Sequence, residues 1–505
     1  MSRTLRGATD KRPRAYSFNT RPVRGGDAVT MTTTTSRRGA VLAVLLTGQA
    51  MASMDGSIVS VAVQTIRERL GADGVGIQLI VSGYLLTTGL LLVTCARLGD
   101  IAGHRRAFWL GLGWFTAASL LCGLAPDVTV LVLARVAQAV GAALLLPQVF
   151  SLIQRGWEGA ARQWAIGLYS MILAAGVALG QIIGGLLVTA DLFGLGWRPA
   201  FLVNVPIGVV LLLAGPRVLT AASDTTRAVP RPRLDLGGVA ILTVAMAAII
   251  GPLIFGRELG LPVWVWAVVA GGVGLLLVFV RYERGRPRDP LLDLDVLRAR
   301  GVRPGLVACC VVMGCYTAFL LTLTLRLQSS LGFSPLAAGL AFVPYAVGFG
   351  ALSLAWSRLP VRVQHALPVA GPLAFAACAV TLVALTRHGW LGPVSVPLLF
   401  MAGAGHAAGY SPLIARVSSL IDPRRASALS ALNSTGPLLA GVLAVATVGG
   451  LYFAAGSPST GLTRVTAAIA ALLLTATACA TRVALTAGKH ERGVIGGRVG
   501  VGGRG

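Results

Sequence analysis

Apolar stretches about as long as a bilayer is thick recur along the chain from residue 41 onward, and no other feature constrains the fold as strongly. A helix of about 20 apolar residues is enough to cross the hydrocarbon core of a membrane. The pattern predicts an all-α polytopic membrane protein with 14 transmembrane helices. The predicted spans lie near residues 41–63, 77–97, 107–125, 128–150, 164–188, 199–216, 236–256, 262–281, 303–325, 336–357, 366–386, 391–414, 428–454 and 463–483.

Composition supports a membrane protein and argues against a soluble globular one. Hydrophobic residues make up 55% of the chain and charged residues 12%, with a mean hydropathy of +0.78. A formal net charge of +25 could suggest a nucleic-acid partner. The basic residues, however, fall between the spans and not on a soluble domain, so we interpret them as topology signals and expect no nucleic acid.

Neither ATP hydrolysis nor another enzymatic activity is expected from the residues. Neither Lys11 nor Lys489 lies in a G-x-x-x-x-G-K-[ST] loop, so ATP is not an expected partner. The seven cysteines lack C-x-x-C or metal-ligand spacing, and the spans contain no nucleophile–base set. We therefore expect no metal, no organic cofactor and no catalytic residues.

Arginine distribution predicts the orientation. With the N-terminus inside, the inner loops and their flanks hold 21 arginines and the outer ones 7. This bias predicts a multi-pass protein of the cell membrane with both termini in the cytoplasm.

Two connections that are longer and richer in charge and proline than the others divide the chain. We expect a disordered basic cytoplasmic tail, a first bundle of six helices, a linker with a two-helix hairpin, a second bundle of six helices and a cytoplasmic tail. Their boundaries are predicted at residues 1–39, 40–216, 217–302, 303–484 and 485–505.

Two charges lie inside spans. Asp55 lies in the second half of the first span, where a carboxylate costs about 3 kcal/mol on insertion scales. Arg135 lies inside the fourth span and is the obvious candidate for its partner. Such charges usually mark function, so we expect this pair to form a functional site. Two plainer alternatives stay open: Asp55 faces a watery cavity or bonds a neighbouring helix, and Arg135 reaches up to the membrane surface.

A turn with glycines and a basic pair follows the second span. Its sequence, A-R-L-G-D-I-A-G-H-R-R over residues 96–106, resembles the G-x-L-x-D-x-x-G-[RK]-[RK] loop of the major facilitator superfamily. Alanine replaces the first glycine, and His104 precedes the arginines. We expect Asp100, Gly103, Arg105 and Arg106 to form a cytoplasmic latch in which Asp100 acts with Arg105; a plain basic turn is the alternative.

The fifth span carries glycines four residues apart, at Gly176, Gly180 and Gly184. Such spacing produces a smooth face for close helix packing. The stretch is similar to the antiporter motif G-x-x-x-G-P-x-x-G-G, although Gln181 stands where the proline is usual. Pure packing is the alternative to an antiporter role.

The sequence W-R-P-A-F-L-V-N-V-P-I-G over residues 197–208 closely resembles the start of the sixth span in fourteen-span drug:proton antiporters. The stretch around Asp55 resembles their first span, and later segments resemble their ninth, tenth and thirteenth spans. The resemblance implies two six-helix bundles that alternate around a central substrate site.

The same resemblance implies export of amphiphilic drugs or antibiotics in exchange for protons. Asp55 would carry the proton, a small molecule would be the substrate, and the lipid bilayer would surround the protein. The proton gradient would replace any cofactor as the energy source. A uniporter or importer of one narrow substrate on the same fold is the alternative.

Other polar residues within or near the spans are candidates for lining a cavity: Gln138, Gln328, Tyr345, His406 and Asn433. His406 could titrate near neutrality. A hydrogen bond between His406 and a neighbouring helix is the more common arrangement.

Overall fold

Long helices account for nearly all of the chain in the computed structural model, which describes residues 25–218, 234–256, 262–285, 291–386, 389–422, 425–453, 455 and 457–499. Within these residues there are sixteen α-helices, with three short 3₁₀ turns and one π-helical turn between them. The α-helices are α1 (Gly25–Leu70), α2 (Gly74–Ala102), α3 (His104–Leu124), α4 (Val128–Gly156), α5 (Gly159–Ala190), α6 (Pro199–Leu202), α7 (Asn204–Val218), α8 (Leu236–Phe255), α9 (Val263–Arg284), α10 (Val302–Leu325), α11 (Pro335–Ala341), α12 (Val343–Ala355), α13 (Val361–Leu385), α14 (Gly392–Ser419), α15 (Ala426–Phe453) and α16 (Pro458–Val499).

Ten helical segments among the described residues are long and apolar enough to cross a membrane, and two further apolar segments are shorter. The chain is therefore a multi-pass helical membrane protein. The number of crossings stays a prediction, because the structure has sixteen helices where fourteen spans are expected.

Two predicted spans are interrupted by prolines, which explains the higher number of helices. The sixth span is α6 and α7, which meet at Val203, and the tenth is α11 and α12, which meet at Phe342. Pro206 and Pro344 cannot donate the backbone hydrogen bond to the residue four positions earlier, so the hydrogen-bond pattern is interrupted there, while Val203 and Phe342 keep right-handed helical dihedral angles.

The predicted tails are partly helical. Helix α1 begins at Gly25, so the described part of the segment 1–39 is helix and not disordered chain. Helix α16 likewise continues to Val499, past the predicted boundary at residue 485. A helix that has already nucleated in a span gains one hydrogen bond for each residue added, which favours such extension. Residues 1–24 and 500–505 lie outside the described residues.

Helix packing repeats between the first six and the last six predicted spans. In the first half, α1 packs along α5, and α4 packs along both α2 and α3. In the second half, α10 packs along α15, and α14 packs along both α12 and α13. Helices α8 and α9 pack against each other, and α8 contacts α2 and α15.

Glycines allow the closest of these crossings, and they also repeat. A Cβ on Gly111 of α3 would lie 2.7 Å from the backbone nitrogen of Leu145 on α4. A Cβ on Gly405 of α14 would lie 2.7 Å from the backbone nitrogen of Phe375 on α13. Both crossings bring one backbone directly against another, as small residues permit in membrane helices.

The two halves meet along α5, which contacts α11, α12 and α14, and along α15, which contacts α2 and α4. Hydrogen bonds join the halves near the end that carries the α2–α3 turn, which we call the latch end. The hydroxyl of Ser418 donates to Oε1 of Gln154 at 2.9 Å, and that of Ser430 donates to the carbonyl of Pro147 at 2.6 Å.

Candidate functional site

A buried ion pair lies at the centre of the first half. Nη1 of Arg135 on α4 is 2.6 Å from Oδ2 of Asp55 on α1. The side chain of Arg135 is 1% exposed and that of Asp55 is 0% exposed. The expected contact is present, and Arg135 does not extend to the surface. Asp55 hydrogen-bonds residues of two neighbouring helices. The alternative in which Asp55 bonds a neighbouring helix therefore also agrees with the structure.

Two amides complete the surroundings of the carboxylate. Oδ1 of Asp55 accepts hydrogen bonds from Nε2 of Gln138 at 2.8 Å and from Nδ2 of Asn204 at 3.0 Å. Gln138 lies three residues after Arg135 on α4, so one helix face presents both side chains. Asn204 is the first residue of α7, immediately after the interruption at Val203.

Gln138 links the two charges to the rest of the bundle. Nη1 of Arg135, which bonds Asp55, also donates to Oε1 of Gln138 at 2.6 Å. Nε2 of Gln138 donates to Oγ of Ser119 on α3 at 2.7 Å. The network therefore connects four helices: α1, α3, α4 and α7. Networks of this kind specify one arrangement of their members because each unpaired group would be costly when buried.

Helix α2 and helix α6 hold the guanidinium from its other sides. Nε of Arg135 donates to the backbone carbonyl of Ile80 at 3.2 Å. The guanidinium carbon lies 4.1 Å from the ring centre of Tyr84 and 5.6 Å from that of Phe201. Aromatic faces attract a cation, so Arg135 is held by charge, hydrogen bonds and rings together.

This arrangement makes the protonation of Asp55 a structural event. While Asp55 is ionised, the pair has no net charge and every oxygen of the carboxylate has a donor. If Asp55 takes up a proton, Arg135 becomes a buried cation without its counter-charge. Leaving a buried charge uncompensated costs about 3–5 kcal/mol, so protonation favours a rearrangement of the helices that carry the network.

The glycine face of α5 packs on the part of α1 that holds Asp55. A Cβ on Gly176 would lie 2.6 Å from Cβ of Ser53, and one on Gly184 would lie 2.7 Å from Cγ1 of Ile58. At Gly180, a Cβ would collide with the hydroxyl of Ser57 and with a backbone carbonyl of α1. The predicted close packing is therefore observed, and its partner is the helix of the proton-coupling candidate.

Gln181 lies elsewhere on the same helix. A Cβ on Gly339 of α11 would be 3.4 Å from Cβ of Gln181, so this residue lies at the contact between the two halves. Helix α5 is continuous through Gln181 from Gly159 to Ala190.

The α2–α3 turn pairs its carboxylate differently from the prediction. Asp100 is 3.0 Å from Nη2 of Arg155 on α4, 3.3 Å from Nε2 of His104 and 3.7 Å from Nη1 of Arg97. The expected interaction of Asp100 with Arg105 is thus replaced by one with Arg155. Arg155 belongs to α4, which packs beside the turn. The spacing of residues within the turn therefore does not predict this partner.

The remaining latch residues shape the turn and its surface. Gly103 has a φ of +94°, a conformation that other residues rarely adopt, so the glycine is required for the turn. Arg105 is half-buried and Arg106 is exposed, both in the first turn of α3.

The five candidates for a cavity do not share one surface. Gln138 belongs to the Asp55 network, and Gln328 is exposed in the π-helical turn after α10. Nδ1 of His406 is 2.8 Å from the hydroxyl of Tyr345, so His406 is hydrogen-bonded to a neighbouring helix. Asn433 accepts a hydrogen bond from Tyr410 at 3.2 Å.

Aromatic rings surround His406 in the second half. Its ring stacks with those of Tyr316 at 4.9 Å and Phe375 at 5.8 Å between centroids, and contacts Phe349 at 4.6 Å. Helices α10, α12, α13 and α14 each contribute a ring to this cluster. Among the described residues, no group of three His, Cys, Asp or Glu side chains could hold a metal ion.

Sequence reasoning did not assign roles to several residues of these sites. Asn204 lies within the motif of residues 197–208, so the resemblance of that motif could have marked Asn204 as a site residue. Tyr84 was among the polar residues of the spans, but nothing indicated that it faces Arg135. Ser119 and Arg155 have no distinguishing signal in one sequence.

Comparison with known proteins places this geometry in context. The family model for the Major Facilitator Superfamily matches residues 45–445. The chain is 34% identical over 430 residues to a probable actinorhodin transporter of Streptomyces coelicolor, covering 83% of this chain and 73% of that protein. It is 32% identical over 423 residues to the cephamycin export protein CmcT of Amycolatopsis lactamdurans, covering 82% of this chain and 85% of that protein.

A solved structure shares the fold. The human organic anion transporter MFSD10 (TETRAN) aligns with a TM-score of 0.62 at 14% sequence identity. The alignment covers 88% of this chain and 99% of that chain. At this identity the similarity concerns the fold alone.

Proposed function

Because the chain belongs to the Major Facilitator Superfamily and is a membrane transporter, not an enzyme, we propose that it exports amphiphilic drugs or antibiotics across the cell membrane in exchange for protons. The names of the relatives support the direction and the substrate class: two of them are a probable actinorhodin transporter and a cephamycin export protein. The proposed partners are the small-molecule substrate, protons and the bilayer.

The observation that carries the proton coupling is the buried pair of Asp55 and Arg135, whose atoms are 2.6 Å apart. Asp55 takes up a proton that enters from the outer side, and its charge is lost. Arg135 then has no counter-ion, and the hydrogen bonds from Gln138 and Asn204 no longer meet a carboxylate. The network reorganises, the halves alternate, and the proton leaves on the cytoplasmic side when the ion pair re-forms.

Orientation completes the proposal. Both termini lie in the cytoplasm, as the excess of arginines in the inner loops predicts. The latch end, with Asp100 and Arg155, is then the cytoplasmic end. The substrate binds between the two halves, where folds of this kind place it.

The test uses inside-out vesicles that hold an imposed acid interior and a fluorescent pH reporter. A panel of cationic dyes and antibiotics is added, and ligand-triggered escape of protons is recorded. We expect escape with wild-type protein and none with Asp55→Asn, because an amide cannot exchange a proton. Asp295→Asn is the matched control, since that carboxylate is exposed in a short turn.

A carrier without proton coupling is the second candidate, and the absence of the proline at Gln181 in the unbroken helix α5 favours it. It predicts that ligand moves with no escape of protons. Ligand flux that is equal in wild-type and Asp55→Asn protein would establish this candidate and contradict proton antiport.

A further inference from the structure

His104 is buried in the latch end with its two ring nitrogens in different surroundings. His104 as a whole is 3% exposed to solvent. Nδ1 is 2.7 Å from Oε1 of Gln148 on α4, and Nε2 is 3.3 Å from Oδ1 of Asp100 on α2. The resemblance motif has no histidine here, so this residue calls for its own explanation.

The hydrogen bonds of Gln148 determine which nitrogen of His104 carries a proton. Nε2 of Gln148 donates to the backbone carbonyl of Cys95 at 2.8 Å, so its Oε1 is the atom that faces the imidazole. An amide oxygen only accepts, and Nδ1 must therefore be the donor. In a neutral ring, Nε2 would then point a lone pair at a carboxylate oxygen. In the protonated ring, both nitrogens carry protons and the imidazolium pairs with Asp100 by charge, since Nε2 has no hydrogen-bond partner of its own among the described residues.

The charges around the ring act in opposite directions. Asp100 on α2 favours the imidazolium. Arg97 on α2 and Arg155 on α4, which both pair with Asp100, disfavour it, as do Arg105 and Arg106, the two residues that follow His104 in the chain. Asp100 thus gains a cationic neighbour when His104 is protonated, so the strength with which the carboxylate is held depends on the state of one histidine.

The latch continues to the other half of the molecule through α4. Arg155, which pairs with Asp100, directly follows Gln154 in the chain. Gln154 accepts the hydrogen bond of Ser418 on α14, which joins the halves at the latch end. The residues that hold Asp100 and the contact between the halves are therefore neighbours on one helix.

We propose that His104 is a proton sensor that positions the latch: protonated, it holds Asp100 and Arg155 and keeps the latch end closed, and neutral, it releases them. The consequence for transport rests on the proposed function. An antiporter that brings protons inward acidifies the cytoplasm, and protonation of His104 then slows the opening of the cytoplasmic side.

The first experiment measures the opening directly and needs no substrate. Spin labels are placed at two exposed positions of the latch end, one in each half, by Glu158→Cys and Ser419→Cys. The full chain is used in lipid nanodiscs after the partly buried cysteines Cys310, Cys378 and Cys479 are replaced by serine. Between about pH 6 and about pH 8 we expect the ratio of long to short distances to rise about tenfold in wild type.

Variants assign this change to His104. His104→Gln, which cannot titrate, should show the same distances at both pH values. His365→Gln is the matched control, because that histidine is exposed on α13, and it should keep the wild-type response. Gln148→Glu serves if His104→Gln fails to fold: a carboxylate facing Nδ1 stabilises the imidazolium, so the response should move to higher pH.

The outcomes separate this inference from the proposed function. A response of the distances that needs His104, with silence across the dye and antibiotic panel, supports the sensor and contradicts drug export. Proton escape that needs Asp55, with distances that respond to pH equally in wild type and His104→Gln, overturns the sensor and leaves the proposed function intact. If both responses are present, the rate of transport at about pH 6 should rise several-fold in His104→Gln.

Discussion

At the scale of single residues, Asp55 shows how a carboxylate is tolerated within a membrane. One cation and two amides donate to it, and two of these donors are held by other contacts: Arg135 by Ile80 and Tyr84, and Gln138 by Ser119. The oxygens of Asp55 are satisfied without water. The stabilisation therefore depends on all members being present, which makes the network sensitive to the removal of one charge.

Removing both charges should cost less stability than removing Arg135 alone. Arg135→Leu leaves Asp55 buried without its counter-charge, which costs about 3–5 kcal/mol, whereas Asp55→Asn with Arg135→Leu leaves no charge at all. Thermal unfolding in detergent should give a lower Tm for the single variant than for the double variant. Equal Tm values would mean that the two side chains are not energetically coupled.

At the scale of helices, the proline breaks and the glycine faces position the site. The break before Pro206 brings Asn204 to the start of α7, where its amide reaches Asp55. The glycines of α5 let α1 approach so closely that the hydroxyl of Ser57 fills the place of a side chain at Gly180. These two devices bring α1 and α7 to fixed positions around α4.

Gly180→Ala should destabilise the protein although alanine favours helices. The added Cβ meets a backbone carbonyl of α1, which cannot move aside as a flexible side chain would. Overpacking of this kind costs about 1–3 kcal/mol. Gly56→Ala is the control, because its Cβ would meet nothing within 4 Å. We expect a lower Tm for the first variant and an unchanged or higher one for the second; the reverse order would contradict the packing of α5 on α1.

At the scale of the whole molecule, two similar bundles of helices meet along α5 and α15. The repeated glycine crossings, Gly111 with α4 and Gly405 with α13, show that the halves are built alike. Their centres differ, since one holds the charges of Asp55 and Arg135 and the other holds His406 among aromatic rings. Proton coupling is therefore proposed for the first half alone.

A reporter fused to the C-terminus should be cytoplasmic. Inner loops and their flanks hold 21 arginines against 7 for the outer ones when the N-terminus is placed inside, and positive residues are retained on the cytoplasmic side. Fusions to green fluorescent protein, which fluoresces in the cytoplasm, and to alkaline phosphatase, which is active outside it, distinguish the two orientations. High phosphatase activity with no fluorescence would contradict the proposed topology.

The sequence by itself determined that this is a helical membrane protein, where most helices lie and which two charges lie within the spans. Hydrocarbon imposes these features locally, because every apolar stretch of sufficient length becomes a helix and every charge within it is costly. Asp55, Arg135 and the glycines of α5 could be selected in this way. The tails could not be bounded, since helix extension beyond a span depends on cooperativity and not on hydropathy.

Only the tertiary structure decided which side chains meet. The partners of Asp55 lie 80, 83 and 149 positions away in the chain, and Asp100 pairs with Arg155, not with Arg105. The same holds for His104, whose role depends on Gln148 of another helix. Successive residues of a helix point about 100° apart, and the face that meets a neighbour is fixed by how all the helices pack together. That information is spread over the whole chain, so no local pattern contains it.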